Sequence, residues 1–169
     1  MEEISSLLSK WKQILEKIEM NNGMIHGIEM GPKATSVEIE LKEAELGYPL
    51  PASYKYILSS FAKSLSFYYS FSENTMIPGE YRDIFSGEIN WDIDSLENLD
   101  LLADELMEDG EDYGANLRGK LQFSQAGNGD IYAFDMSVLG DEKPVIYWDH
   151  EEDTVTRIAD SFADYLTKI

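Results

Sequence analysis

Lys120-Leu121-Gln122-Phe123, Asn128-Gly129, Ile131-Tyr132-Ala133-Phe134 and Val145-Ile146-Tyr147-Trp148 follow one another in a single stretch of the chain. Short runs of β-branched and aromatic residues bounded by turn-formers read as strands, and Asn-Gly between two such runs signals a type I′ hairpin. Asp141 to Lys143 form a second polar turn. These residues predict three consecutive strands, the first two joined as a hairpin. Upstream, Leu65, Phe67, Tyr69 and Phe71 alternate with Ser66, Tyr68 and Ser70, the period of a further strand.

Helices flank this β section. Tyr54, Ile57, Leu58 and Phe61 make the apolar face of a short helix with Pro51 at its first position. Pro49-Leu50-Pro51 enforces an extended link before it, because each proline disfavours helix in the residue it follows. Thr35 and Glu38 have the spacing of a capping box, starting a helix that should end at Gly47. The Gly- and Pro-containing stretch from Gly27 to Lys33 reads as a loop. Ile4, Leu7, Leu8, Trp11, Ile14, Leu15 and Ile18 share one helical stripe, predicting a helix over 3–20 that Asn21-Asn22-Gly23 stops. Ile158, Phe162, Tyr165, Leu166 and Ile169 predict a closing helix. Together these predict one α+β domain over 1–169, its mixed or antiparallel sheet packed by N- and C-terminal helices.

The chain has 169 residues, 43% hydrophobic and 12% aromatic, enough for a sizeable core in one domain. Its 33 acids against 13 bases give a net charge of −20. That balance argues against bulk attraction to nucleic acid or anionic membranes and favours basic partners. It also opposes casual self-association, although the sequence does not fix an oligomeric state. Cysteine is absent, which excludes a disulfide framework, a thiol nucleophile and a thiolate metal site. Met1-Glu2-Glu3 does not begin a signal peptide, and no apolar run has transmembrane length. The expectation is a cytoplasmic protein.

Charge is unevenly placed. Between Asp83 and Leu117 there are twelve acids and no Lys, Arg or His, so −12 of the −20 lies in thirty-five residues. Leu96, Leu99, Leu102 and Leu106 predict a helix over Ser95–Glu108 with Glu97, Asp100, Asp104 and Glu108 on its opposite side. Like charges four residues apart cost a few tenths of a kcal/mol, and acids at a helix C-terminus are also unfavourable. The block has two main readings: a solvated face, or a landing surface for a basic protein. For the second, the candidate contacts are Trp91, Asp92, Asp94, Glu97, Asp100, Asp104, Glu108, Asp109, Glu111, Asp112 and Tyr113, with the two aromatics as anchors. Asp92-Ile93-Asp94-Ser95-Leu96 begins like a calcium loop but lacks the third ligand and the glycine.

No catalytic constellation emerges, and no metal or cofactor is expected. His26 and His150 are the only histidines, without metal-ligand spacing. His150, among Asp149, Glu151, Glu152 and Asp153, has two readings: a base oriented by a carboxylate, or an imidazole of raised pKa in a surface turn. A carboxylate-pair hydrolase would require a concave pocket holding two perturbed acids.

Several segments resemble one family. Glu45-Leu46-Gly47-Tyr48-Pro49-Leu50-Pro51 followed by Ser53-Tyr54-Lys55-Tyr56-Ile57-Leu58 is similar to the Leu-Gly, Leu-Pro and Tyr-Lys signature of the SMI1/KNR4 (SUKH) superfamily. Gly129-Asp130 with Phe134-Asp135 resembles its central hairpin. Val145 to His150 and Ala159 to Leu166 resemble its closing strand and helix, so the likeness runs from 35 to 169. Ala62-Lys63-Ser64 departs from the glycine-containing turn common in the family. The resemblance implies an α+β fold and, for bacterial members, a non-enzymatic immunity protein that neutralises a cognate toxin, often a nuclease or deaminase. It implies, alternatively, a regulatory adaptor acting through protein contacts, as in fungal members.

Overall fold

A computed structural model describes residues 6, 9–10, 13, 16–20, 23–71, 88–107 and 112–168. Two antiparallel sheets form the frame. In the first, β1 (Gly23–Met30), β2 (Ser64–Phe71) and β3 (Glu88–Asp92) are neighbours in that order. In the second, β4 (Glu97–Asn98), β5 (Lys120–Gln125), β6 (Ile131–Asp135), β7 (Val145–Asp149) and β8 (Thr154–Ala159) form a continuous meander. The helices are α1 (Ser36–Leu46), α2 (Ala52–Ser60), α3 (Asp100–Met107) and α4 (Phe162–Lys168). Helices and antiparallel sheets together make this an α+β fold. Every described strand pair is antiparallel.

Alternation along the strands of the second sheet places a core on each face. Phe134 and Val145 join Tyr54, Trp91, Phe123 and Phe162 in the main core, which also takes in the first sheet, α2 and α4. Ile131, Ala133, Ile146 and Trp148 point the other way and pack with Leu99, Ala103 and Leu117. Leu99 directly precedes α3 and Ala103 lies within it, so α3 covers that face. The main core is aromatic at its centre: Tyr54 and Phe162 meet edge-to-face at 4.7 Å, and Phe123 and Phe134 lie 4.7 Å apart. Each such ring contributes about 2–3 kcal/mol on burial. No helix among the described residues is long and apolar enough to cross a membrane.

The local chemistry of the α1–α2 region follows its sequence. Thr35 Oγ1 accepts the Glu38 N–H at 3.2 Å, while Glu38 Oε2 accepts the Thr35 N–H at 2.8 Å, completing the capping box. Gly47 closes α1 at φ 81, the left-handed position that glycine takes without steric cost. Pro51 is the cap residue of α2 rather than its first helical residue. The turn after α2 needs no glycine, because Ala62, fully buried, donates to the Ile57 carbonyl and Lys63 donates to that of Pro32.

Outside the acidic block, three elements differ from the sequence reading. Residues 23–30 are a strand, not part of a loop. Gly27 (φ 132) sits where the β1–β2 register shifts, so the glycine marks a bulge in an edge strand. Ile158 belongs to β8, and the closing helix begins only at Phe162. The β5–β6 connection is not a type I′ turn. The Ala126 N–H bonds to the Asp130 carbonyl and the Gly129 N–H to that of Ala126, while among the loop residues only Gly129 (φ 102) has positive φ. That is a three-residue hairpin loop with glycine in the left-handed position. For the helix expected over 3–20, residues 16–20 are helical with Ile18 buried. Ile4, Leu7, Leu8, Trp11, Ile14 and Leu15 lie outside the described residues.

Candidate functional site

The acidic block does not fold as one long helix. Ile93–Ser95 is a 3₁₀ turn capped by Asp92, whose Oδ1 accepts the Asp94 N–H at 2.9 Å. Glu97 lies in β4, and α3 starts only at Asp100. The predicted stripe misled because Leu96 is buried from an extended backbone and Leu99 from the turn that precedes α3, not from one continuous helix. The apolar side of α3 carries Ala103, fully buried, with Leu102 and Leu106 packed against the second core.

The candidate contacts therefore fall into different classes. Trp91 is not on the surface: it is 2% exposed, its Nε1–H donates to the Ala62 carbonyl at 3.2 Å, and its ring meets Phe162 edge-on at 5.6 Å. The period-two burial of Ile89, Trp91 and Ile93 was the available signal for a strand there. Asp100 holds the local fold, accepting the Gly119 N–H at 2.7 Å. Asp104 pairs with Arg118 at 2.5 Å, and Asp94 lies 3.9 Å from Lys63. Bases from outside the block thus reach two of its acids. Tyr113 is half-buried, its hydroxyl bonded to the His150 carbonyl and its ring edge-on to Trp148 at 6.0 Å. Glu108, Asp109 and Glu111 lie outside the described residues.

What remains is a different set of exposed acids. Glu97, Glu105 and Asp112 are exposed, and so are Glu151 and Glu152 in the β7–β8 turn. None of the five makes an ion pair among the described residues. Asp153 ties the segments together, its carboxylate accepting the Trp148 indole N–H at 2.8 Å and the Gly114 N–H at 3.1 Å. The sequence-based reading treated 149–153 only as the setting of His150 and so missed this continuity, which depends on a long-range contact. The apolar side chain presented beside the α3 acids is Leu101, 75% exposed, one turn before Asp104 and Glu105.

His150 and Asp130 form a densely hydrogen-bonded polar cluster. Asp130, 3% exposed, accepts the His150 backbone N–H at 3.1 Å, and its Oδ1 lies 2.9 Å from His150 Nδ1. The Tyr147 hydroxyl and the Asn128 amide donate to its other oxygen. Burial pushes the Asp130 pKa up, but these hydrogen bonds outweigh it and hold the group at about 2. The same contact raises the His150 pKa, against the opposing effect of burial. The predicted raised imidazole in a surface turn is what the geometry contains, with the carboxylate clamping the β5–β6 and β7–β8 turns together. Asp130, Asp149 and His150 could converge on a cation, yet Asp130 already receives four internal hydrogen bonds.

A family model described as SMI1 / KNR4 family (SUKH-1) matches residues 33–168. No curated protein matches the chain.

Proposed function

The chain belongs to the SMI1/KNR4 family, whose members typically bind partner proteins, and from that premise we propose that it is a non-enzymatic, cytoplasmic immunity protein. It neutralises a cognate basic toxin, a nuclease or deaminase domain, by covering its working cleft with an acidic surface. The observation that carries this reading is a set of exposed carboxylates with no ion pair among the described residues: Glu97, Glu105, Asp112, Glu151 and Glu152. Asp104, Glu108, Asp109 and Glu111 extend the same acid-rich stretch of sequence. A nuclease cleft is electropositive because it holds phosphates, and fixed carboxylates can occupy that field without being substrate. Complementary charge chiefly accelerates encounter, while an apolar anchor such as Leu101 slows release.

Stopped-flow association with the toxin encoded beside this chain tests the reading. Reversing Glu105, Asp112, Glu151 and Glu152 to Lys should slow association about tenfold or more at low salt and flatten its salt dependence. An unchanged rate and salt slope would exclude this surface. A coding region with no toxin alongside would favour the regulatory-adaptor alternative.

A further inference from the structure

We propose that a groove beside the first sheet is the pocket that receives a cationic, extended loop of the basic protein partner. The groove encloses about 570 Å³ between the outer face of β2 and β3 and the adjoining part of β5. Its shape follows from the sequence. Leu65 and Phe67 point into the core, so Ser64 and Ser66 face outward and form a floor of minimal height. Across the ladders Ser66 lies between Glu29 on β1 and Asn90 on β3, while Ser64 stands opposite Asp92. A short side chain flanked by longer ones makes a trough. The far wall is fixed by Ser124, whose hydroxyl donates to the Asn90 side-chain oxygen and links the two sheets.

The lining selects the occupant. Among the described residues fifteen line the groove; two of them, Glu29 and Asp92, are carboxylates, and none of the fifteen is Lys, Arg or His. The charge carried by this lining is negative, with Lys63 acting on Asp92 from beside it, so an anion is disfavoured there. An arginine on an extended loop finds carboxylates for its fork of donors and hydroxyl and amide oxygens for the rest. Tyr68, 41% exposed at the rim, offers a ring face to the same guanidinium. A serine floor also lets a backbone approach closely, which a lysine- or glutamate-bearing face would prevent. This inference rests on the partner being a basic protein. It adds that recognition is centred on the groove, with the exposed acids serving mainly the rate of encounter.

The probe is the blocked pentapeptide Gly-Arg-Gly-Arg-Gly, with the citrulline peptide of the same shape as its uncharged control. Titration into the full chain should move backbone amide resonances of Ser66, Asn90 and Ser124, and the citrulline peptide should bind about tenfold more weakly. Ser66→Arg, which fills the trough with a cation, should weaken peptide binding about tenfold; exposed Glu29→Gln should weaken it in the same direction. Glu105→Gln on α3 should leave it unchanged. Equal binding of both peptides, or shifts confined to the α3 flank, would overturn the groove. So would a Ser66→Arg affinity within about twofold of the parent protein. The adjacent toxin separates the two readings. If it binds Ser66→Arg as tightly as the parent protein, the groove is wrong and the immunity reading stands. If it does not bind the parent protein at all, the immunity reading is wrong whatever the peptide does.

Discussion

Asp130 and His150 show how a few polar atoms fix the end of a sheet. The carboxylate is depressed to about 2 and the imidazole raised, so the two charges contribute to folding over a bounded pH window. For a depressed acid, the contribution is present above the unfolded value of about 3.9 and is lost as pH falls through about 2. For a raised base it is complete below the unfolded value of about 6.5 and is lost as pH rises through the folded pKa. The pair therefore stabilises most between about pH 4 and 6.5. The melting-temperature difference between the parent protein and His150→Gln should be largest near about pH 5 and shrink towards about pH 9. A difference that stays constant across that range would mean that the imidazolium charge adds nothing and that only the ring's shape matters.

Among the elements, Gly47 and Gly114 allow one conformation to be separated from one contact. Their φ values are 81 and 80, so an alanine at either position carries the same left-handed strain of about 1–2 kcal/mol. Among the described residues nothing lies within 4 Å of a Cβ at Gly47, whereas at Gly114 it would stand 2.7 Å from Leu106 Cδ1 and 2.9 Å from Leu106 Cβ. Gly114→Ala must also push α3 or its leucine off the second core, adding about 1–3 kcal/mol. Denaturant titration should show both variants with an unchanged slope and Gly114→Ala with the lower midpoint. Equal midpoints would remove the Leu106 contact as a constraint on α3. The same contrast explains what the sequence made legible. The capping box, the Gly47 terminus, the buried face of α2 and the alternation of β2 are local and were readable. β1 was not, because residues 24–30 run along an exposed edge where no burial enforces a two-residue period. The joining of 112–114 to the β7–β8 turn was not either, because it depends on Asp153 and His150 meeting residues some forty positions away. Trp91 was misplaced for a related reason: its strand is short and sits inside an acid-rich stretch whose composition suggested surface.

At the scale of the whole molecule, the net charge of −20 is the dominant fact, since thirteen bases face thirty-three acids. Several of those bases are spent on single ion pairs, such as Lys120–Asp135 at 3.0 Å and Arg157–Asp160 at 2.6 Å, leaving much of the acid surface uncompensated. Self-repulsion of that surface opposes the compact state and is relieved when counter-ions screen it. The screening length falls from about 30 Å at 0.01 M salt to about 10 Å at 0.1 M and about 3 Å at 1 M. Repulsion between separated segments, such as Glu105 on α3 and Glu152 in the β7–β8 turn, should therefore weaken before the short ion pairs do. The melting temperature should rise between about 0.01 M and 0.2 M sodium chloride and then level off. A temperature that instead falls over this range would show that the ion pairs outweigh the repulsion. The exposed acids would then not be strained in isolation, and a basic partner would gain only encounter rate from them, with no relief of stored repulsion on binding.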